Sequence, residues 1–160
     1  LYPNRNIQHA GVIIGIGGVA GHAFKNYPST HSGYKHRLQL VQNFSAITAA
    51  CLVVEKNIFE QVGGFDEENL KVAFNDVDFC LKVLKEGYRN VWTPHAIMIH
   101  HESASRGLEK KISQKKRFQK EVFFMQKKWR DDLMSDSFYN PNLTLDSEDF
   151  SLSFPPRIQN

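Results

Sequence analysis

The sequence predicts a mixed α/β domain, and three observations carry that reading. Short apolar runs at Ala10–Ile16, Ile47–Val54, Asn90–Thr93 and Ala96–Ile99 are bounded by glycine, proline or polar residues, as strands are. Between the second and third runs, apolar residues recur at helical spacing from Asn75 to Gly87. A longer helical pattern occupies residues 108–134. At 160 residues, with 41% apolar and 23% charged side chains, the chain is long enough for one domain with a sizeable core. The strands near Val12, Ala50, Trp92 and Ile99 are expected to share one sheet.

Taken in order, Ala10–Ile16 reads as a strand running into Gly17-Gly18-Val19-Ala20-Gly21-His22. Gly15 to Ala20 fits G-x-G-x-x-A by letter, but the residues that follow do not make a helix to receive a pyrophosphate, so the match to a dinucleotide turn is weak. Residues 24–39 read as a polar surface loop, with a short helix expected from Lys35 to Val41. His22, His31 and His36 there match no zinc spacing and read as solvated. Ile47–Val54 is expected to be a buried strand. A short helix follows over Glu55–Val62, with Gly63-Gly64-Phe65-Asp66-Glu67 as a turn.

The stretch from Phe74 to His101 is the most informative. Val77, Cys80, Leu81 and Leu84 make one apolar stripe, with Asn75 as the expected N-cap and Gly87 as the stop. Asp76 and Asp78 fall in the first turn, where two readings stay open. They are partners of the helix dipole, or they are site carboxylates. His100 and His101 close a hydrophobic strand. A carboxylate at a helix start and a histidine at a strand end can meet in one cleft.

Phe118, Val122, Met125, Trp129 and Leu133 form the stripe of the long helix. The aromatics Phe118, Phe123, Phe124 and Trp129 are expected mostly in the core. Nine Lys/Arg lie between Lys110 and Arg130, opposed only by Glu121 inside that span. That basic helix is a solvated face, a membrane-surface face or a nucleic-acid face, with nucleic acid the least favoured. The tail over 135–160 is expected to wrap the surface in extended form on Phe138, Tyr139, Leu143, Leu145, Phe150 and Phe154. Net charge is only +3, no run approaches a membrane span, and Cys51 and Cys80 read as reduced core residues. Those features point to a cytoplasmic protein.

Several segments together resemble the C-terminal half of inverting GT-A glycosyltransferases of family 2, which build bacterial surface polysaccharides such as O-antigen. They are Ile47–Val54, Phe59–Glu67, Asn75–Leu81 with Gly87-Tyr88-Arg89, Pro94 and His100-His101, and the glycine-rich Gly11–His22. The match spans roughly residues 8–107. It implies a partial GT-A mixed sheet with flanking helices over 1–134 and an extended tail over 135–160. It implies Asp76 as the general base, with Asn75 standing where the family carries Glu. His100, 24 residues further on, is implied as a ligand of Mn2+ or Mg2+. Ala49, Ala50, Gly63, Gly64, Asp78, His101 and Arg106 are the implied substrate contacts. The partners implied are a nucleotide-diphospho-sugar donor and a glycan or polyisoprenoid-linked acceptor, with the protein cytoplasmic or peripheral to the inner membrane face. The metal-binding D-x-D of the family is not found before Gly11. The expectation is therefore a portion lacking most of the nucleotide-binding half, inactive alone, whose open sheet edge favours a homodimer. The alternative is a non-catalytic module that uses residues 108–134 to bind a membrane surface or nucleic acid.

Overall fold

The computed structural model describes residues 1–101 and 112–157. Two small antiparallel sheets lie between helices. Strands β1 (Val12–Ile14) and β2 (Ala20–His22) form a hairpin, with Ile13 opposite Gly21. Strands β3 (Gln42–Phe44) and β4 (Asn90–Trp92) pair with Asn43 opposite Val91. A bridge joins the two sheets, because the Val12 N–H donates to the Ala46 carbonyl at 3.0 Å. The helices are α1 (Lys56–Gln61), α2 (Asn75–Lys85), α3 (Ile112–Lys128) and α4 (Arg130–Met134).

β1 divides the interior. Side chains alternate along a strand, so Val12 and Ile14 enter a core with Phe79, Cys80, Leu81, Met125, Trp129 and Leu133. Ile13 enters a second core with Phe24, Phe44, Tyr139, Leu143 and Phe150. The tail is held to the hairpin by Asp136. Its carboxylate accepts the Ile14 N–H at 2.8 Å, the Ser45 hydroxyl at 2.6 Å and the Phe138 N–H at 2.8 Å. Of the apolar anchors expected in the tail, Phe154 does not serve, being 98% exposed.

Three expectations are corrected. The single sheet is replaced by two separate ribbons. Ile47–Val54 is not a strand: Thr48 Oγ1 accepts the Ala50 N–H at 3.3 Å and turns Ala49–Cys51 into a 3-10 helix. Val53 and Cys51 are then exposed, while Cys80 stays buried. Ala96–Ile99 is neither buried nor a strand. β4 stops at Trp92 before Thr93 and Pro94, and this segment bonds to Leu1 instead, through Leu1 N to Met98 O at 2.7 Å and His100 N to Leu1 O at 2.9 Å. The glycines of 15–18 form the hairpin connection, with Gly15, Gly17 and Gly18 at positive φ, and the chain continues into β2 rather than a helix.

α2 is positioned by α3 and α4. Asp78 is fully buried. Its Oδ1 accepts the Trp129 indole N–H at 2.7 Å and pairs with Lys128 at 2.6 Å, while its Oδ2 faces Lys82 at 3.4 Å. Glu121, also buried, accepts the backbone N–H groups of Val72 and Ala73 at 3.1 Å each. These bonds fix the approach to α2, whose N-cap is Phe74 in the left-handed region, φ 61°, rather than Asn75. Lys82 also donates to the Gly64 carbonyl at 2.6 Å, tying in the end of α1.

Removing one partner of a buried ion pair strands the other charge and empties the indole's acceptor. Because both lysines retain some contact with water, Asp78→Ala is expected to lower the unfolding free energy by roughly 3 kcal/mol, and Lys82→Ala by less than about 1 kcal/mol. Urea denaturation followed by circular dichroism measures both. Equal losses would contradict the clamp.

Candidate functional site

The site forms where the start of α2 meets the Thr48–Cys51 turn. Asp76 is half-buried, and its Oδ2 accepts the Ala49 N–H at 3.1 Å. Its Oδ1 accepts the Val77 N–H at 2.9 Å. Each oxygen keeps a lone pair, so the carboxylate is oriented yet able to take a proton. Asn75 Oδ1 accepts the Asp76 N–H at 2.8 Å. The residue standing in place of a second carboxylate thus serves the backbone of the first.

Ala50, Thr48, His9, Gln8, Trp92 and His100 line a cleft of about 320 Å³. This is the size range of a small-ligand pocket. His100 is exposed, and its Nδ1 lies 2.9 Å from Gln8 Oε1. With that oxygen as acceptor, Nδ1 is the donor and Nε2 is the ring nitrogen left for another partner. Asp76 and His100 are thereby connected through one turn: Asp76 holds Ala49, and Ala50 lines the cleft that His100 also lines.

The other implied contacts lie elsewhere. Asp78 is turned away beneath Trp129 and Lys128. Gly63 and Gly64, at φ 76° and 60°, end α1, their N–H groups donating to Glu60 O at 3.0 Å and Phe59 O at 2.8 Å. A Cβ on Gly64 would meet the Phe59 ring at 2.8 Å, so this pair closes a helix against its own side chain. His101 is exposed next to His100. Arg106 lies outside the described residues. Among the described residues, no three His, Cys, Asp or Glu side chains converge to hold a metal ion. His100 is a single candidate ligand, so these residues do not by themselves make a Mn2+ or Mg2+ centre.

Gln8, His9 and Thr48 were not singled out from the sequence. The polar pair Gln8-His9 directly ahead of an apolar strand was the signal available. His9 Nε2 accepts the Thr48 N–H at 3.1 Å, and its ring stands edge-on to His22 at 5.2 Å. Although part of its surface reaches the cleft, the ring is enclosed by protein. Burial first, then the neighbouring His22, brings its pKa down to about 3. A ring nitrogen that accepts a backbone N–H must be unprotonated, so the geometry points the same way. Cys80 meets the far side of the turn, its sulfur 3.4 Å from Ile47 N. Burial pushes this thiol up to about 12, which keeps it unreactive.

Asp76 thus stands behind the turn whose residues Thr48, Ala50 and Cys51 line the cleft, with His100 among the other lining residues. Over 162 aligned residues, 98% of its length, the chain is 35% identical to the O-antigen biosynthesis protein RfbC of Myxococcus xanthus. Over 108 residues, 67% of its length, it is 30% identical to an N-acetylglucosaminyl-diphospho-decaprenol L-rhamnosyltransferase of Mycobacterium tuberculosis. It is also 55% identical over 154 residues to an uncharacterized protein of Sinorhizobium fredii. These matches are homology, and they relate the chain at family level to the family 2 sugar transferases. The aligned regions occupy 12%, 35% and 17% of those proteins respectively, so the chain spans about a third or less of their length. No family model and no solved structure matches.

The unfolded His9 takes up a proton near pH 6.5, whereas the folded one resists it down to about 3. Between these values the unfolded state binds more protons, so the stability held above pH 6.5 is lost as pH falls through that window. His9→Gln is expected to flatten this part of the stability–pH curve. Thermal unfolding at intervals from pH 7.5 to 3.5 checks it, and an unchanged acid limb would remove His9 as its source.

Proposed function

We propose that the chain is the acceptor-side portion of an inverting glycosyltransferase that moves a sugar from a nucleotide-diphospho-sugar to a glycan or polyisoprenoid-linked acceptor. The observation that carries the reading is Asp76, oriented at the start of α2 by the N–H of Ala49, whose neighbour Ala50 lines a cleft together with His100. The homologue from M. tuberculosis, named for rhamnosyl transfer to a diphospho-decaprenol-linked sugar, supports sugar transfer and the acceptor class.

In this reaction Asp76 takes the proton of the acceptor hydroxyl. The resulting oxygen attacks the anomeric carbon as the bond to the diphosphate breaks, and the nucleoside diphosphate leaves from the opposite face. A single displacement inverts that carbon. Holding hydroxyl, base and anomeric carbon in line accounts for much of the acceleration. Thr48 and Ala49 keep the carboxylate in place, and His9 keeps the turn in place. Gln8 holds the His100 ring with Nε2 available, and His100 is the contact this chain offers to the donor diphosphate and its Mn2+ or Mg2+.

The test is sugar transfer by a full-length protein that carries this segment. Asp76→Asn is expected to lower kcat by about a hundredfold or more with donor KM little changed, the usual worth of a general base. Near-normal transfer would remove Asp76 from the role. His100→Ala is expected to raise the metal concentration needed for half-maximal activity, and an unchanged metal curve would leave His100 structural.

A further inference from the structure

The outer face of α3 does not fit a merely solvated helix. Lys116, Lys120, Phe123, Lys127 and Arg130 follow one another at i, i+4, i+7, i+11 and i+14, and all five are exposed. That spacing puts them on one face, within an arc of about 80° at 100° per residue. The irregular residue Trp129, φ −116°, separates α3 from α4, and Met134 at the end of α4 is 77% exposed. The one carboxylate within Ile112–Lys128 is Glu121, which points inward and is 2% exposed. The stripe is thus uniformly cationic over its α3 length, with a phenyl ring 68% exposed at its centre. Phe123 was expected in the core. Its place there is taken by Val122, Met125 and Trp129, which satisfy the inner face without it.

We propose that this stripe docks on an anionic lipid bilayer, with α3 lying in the plane of the headgroups. The cations meet lipid phosphates while Phe123 enters the boundary between headgroups and acyl chains. From Lys116 to Lys127 the α3 part of the contact is about 17 Å long, at 1.5 Å per residue. Charge with apolar anchors at helical spacing is the pattern that binds such surfaces. A single-stranded nucleic acid is the weaker fit, because stacking sites for its bases lie in grooves that follow the backbone, and this stripe is the convex face of a helix. The proposal stands apart from the sugar-transfer reading, since none of these residues touches the cleft.

Co-sedimentation of the purified chain with vesicles tests it. Binding to phosphatidylglycerol vesicles, weakened by raising salt from 0.1 to 0.5 M and absent with phosphatidylcholine vesicles, is expected. Lys116→Gln, Lys120→Gln and Lys127→Gln together should weaken it about a hundredfold, since each surface lysine contributes roughly a factor of five. Phe123→Ser should weaken it at unchanged net charge, with circular dichroism confirming that both variants fold. The single variant Phe123→Trp adds a second reading, a blue shift of its emission with phosphatidylglycerol vesicles. No binding to those vesicles, equal binding by the triple lysine variant, or binding to a single-stranded oligonucleotide in preference to vesicles would overturn the proposal.

Discussion

The structure depends on one buried carboxylate. Asp78 sits without solvent contact between α2 and the α3–α4 pair, bonded to Trp129 and Lys128 and faced by Lys82. Without it the indole N–H would be an unpaired donor in the core and both lysines would lose their counter-charge. Its effect reaches beyond the core. By locking α2 against α3, it fixes the rotation of α2 about its own axis. Residues two apart on a helix point about 200° apart, so burying Asp78 turns Asp76 to the opposite side, toward the Thr48–Cys51 turn. The same two letters thus serve two ends, one carboxylate sealed in the core and the other turned to the Thr48–Cys51 turn.

That division is reinforced at the helix entrance. Glu121 captures the Val72 and Ala73 N–H groups, and Phe74, at positive φ, packs its ring against Phe118 at 5.6 Å. A phenylalanine in the left-handed region is costly on its own, and the contacts on both sides hold it there. From the other direction, His9 grips Thr48, and Thr48 caps the turn that meets Asp76. The base is therefore supported by three chain segments distant in sequence, which is how a carboxylate keeps a fixed orientation while remaining partly open to a ligand.

Much of this was legible in the sequence, and the failures have physical causes. The apolar periods of α2 and of the long helix identified both, because burial of one face leaves a regular trace. The resemblance implied Asp76 as the base and Asp78 as a substrate contact, and only the packing of Trp129 and Lys128 shows that Asp78 is sealed. Ile47–Val54 looked like a strand because its residues are small or β-branched. A hydroxyl cap at Thr48 and the pull of Asp76 on Ala49 outweighed that preference. Ala96–Ile99 looked buried because it is apolar, and it is exposed. Phe123 was assigned inward by residue type, whereas the inner face was already filled. The roles of Gln8 and His9 rest on contacts to Thr48 and His100, 39 and 92 residues away along the chain, and no local pattern announces such contacts.

Homology relates the chain at family level to sugar transferases, and the role proposed for Asp76 decides the stereochemistry. A carboxylate that only removes a proton leaves one displacement at the anomeric carbon. A carboxylate that attacks that carbon itself forms a glycosyl-enzyme and requires two. The most direct measurement is the anomeric proton signal of the first-formed product, read by NMR as a full-length protein bearing this segment consumes a nucleotide-sugar of known configuration. The account predicts the inverted configuration. A retained configuration would contradict it, because the reaction would then pass through a nucleophile that a base at Asp76 does not provide.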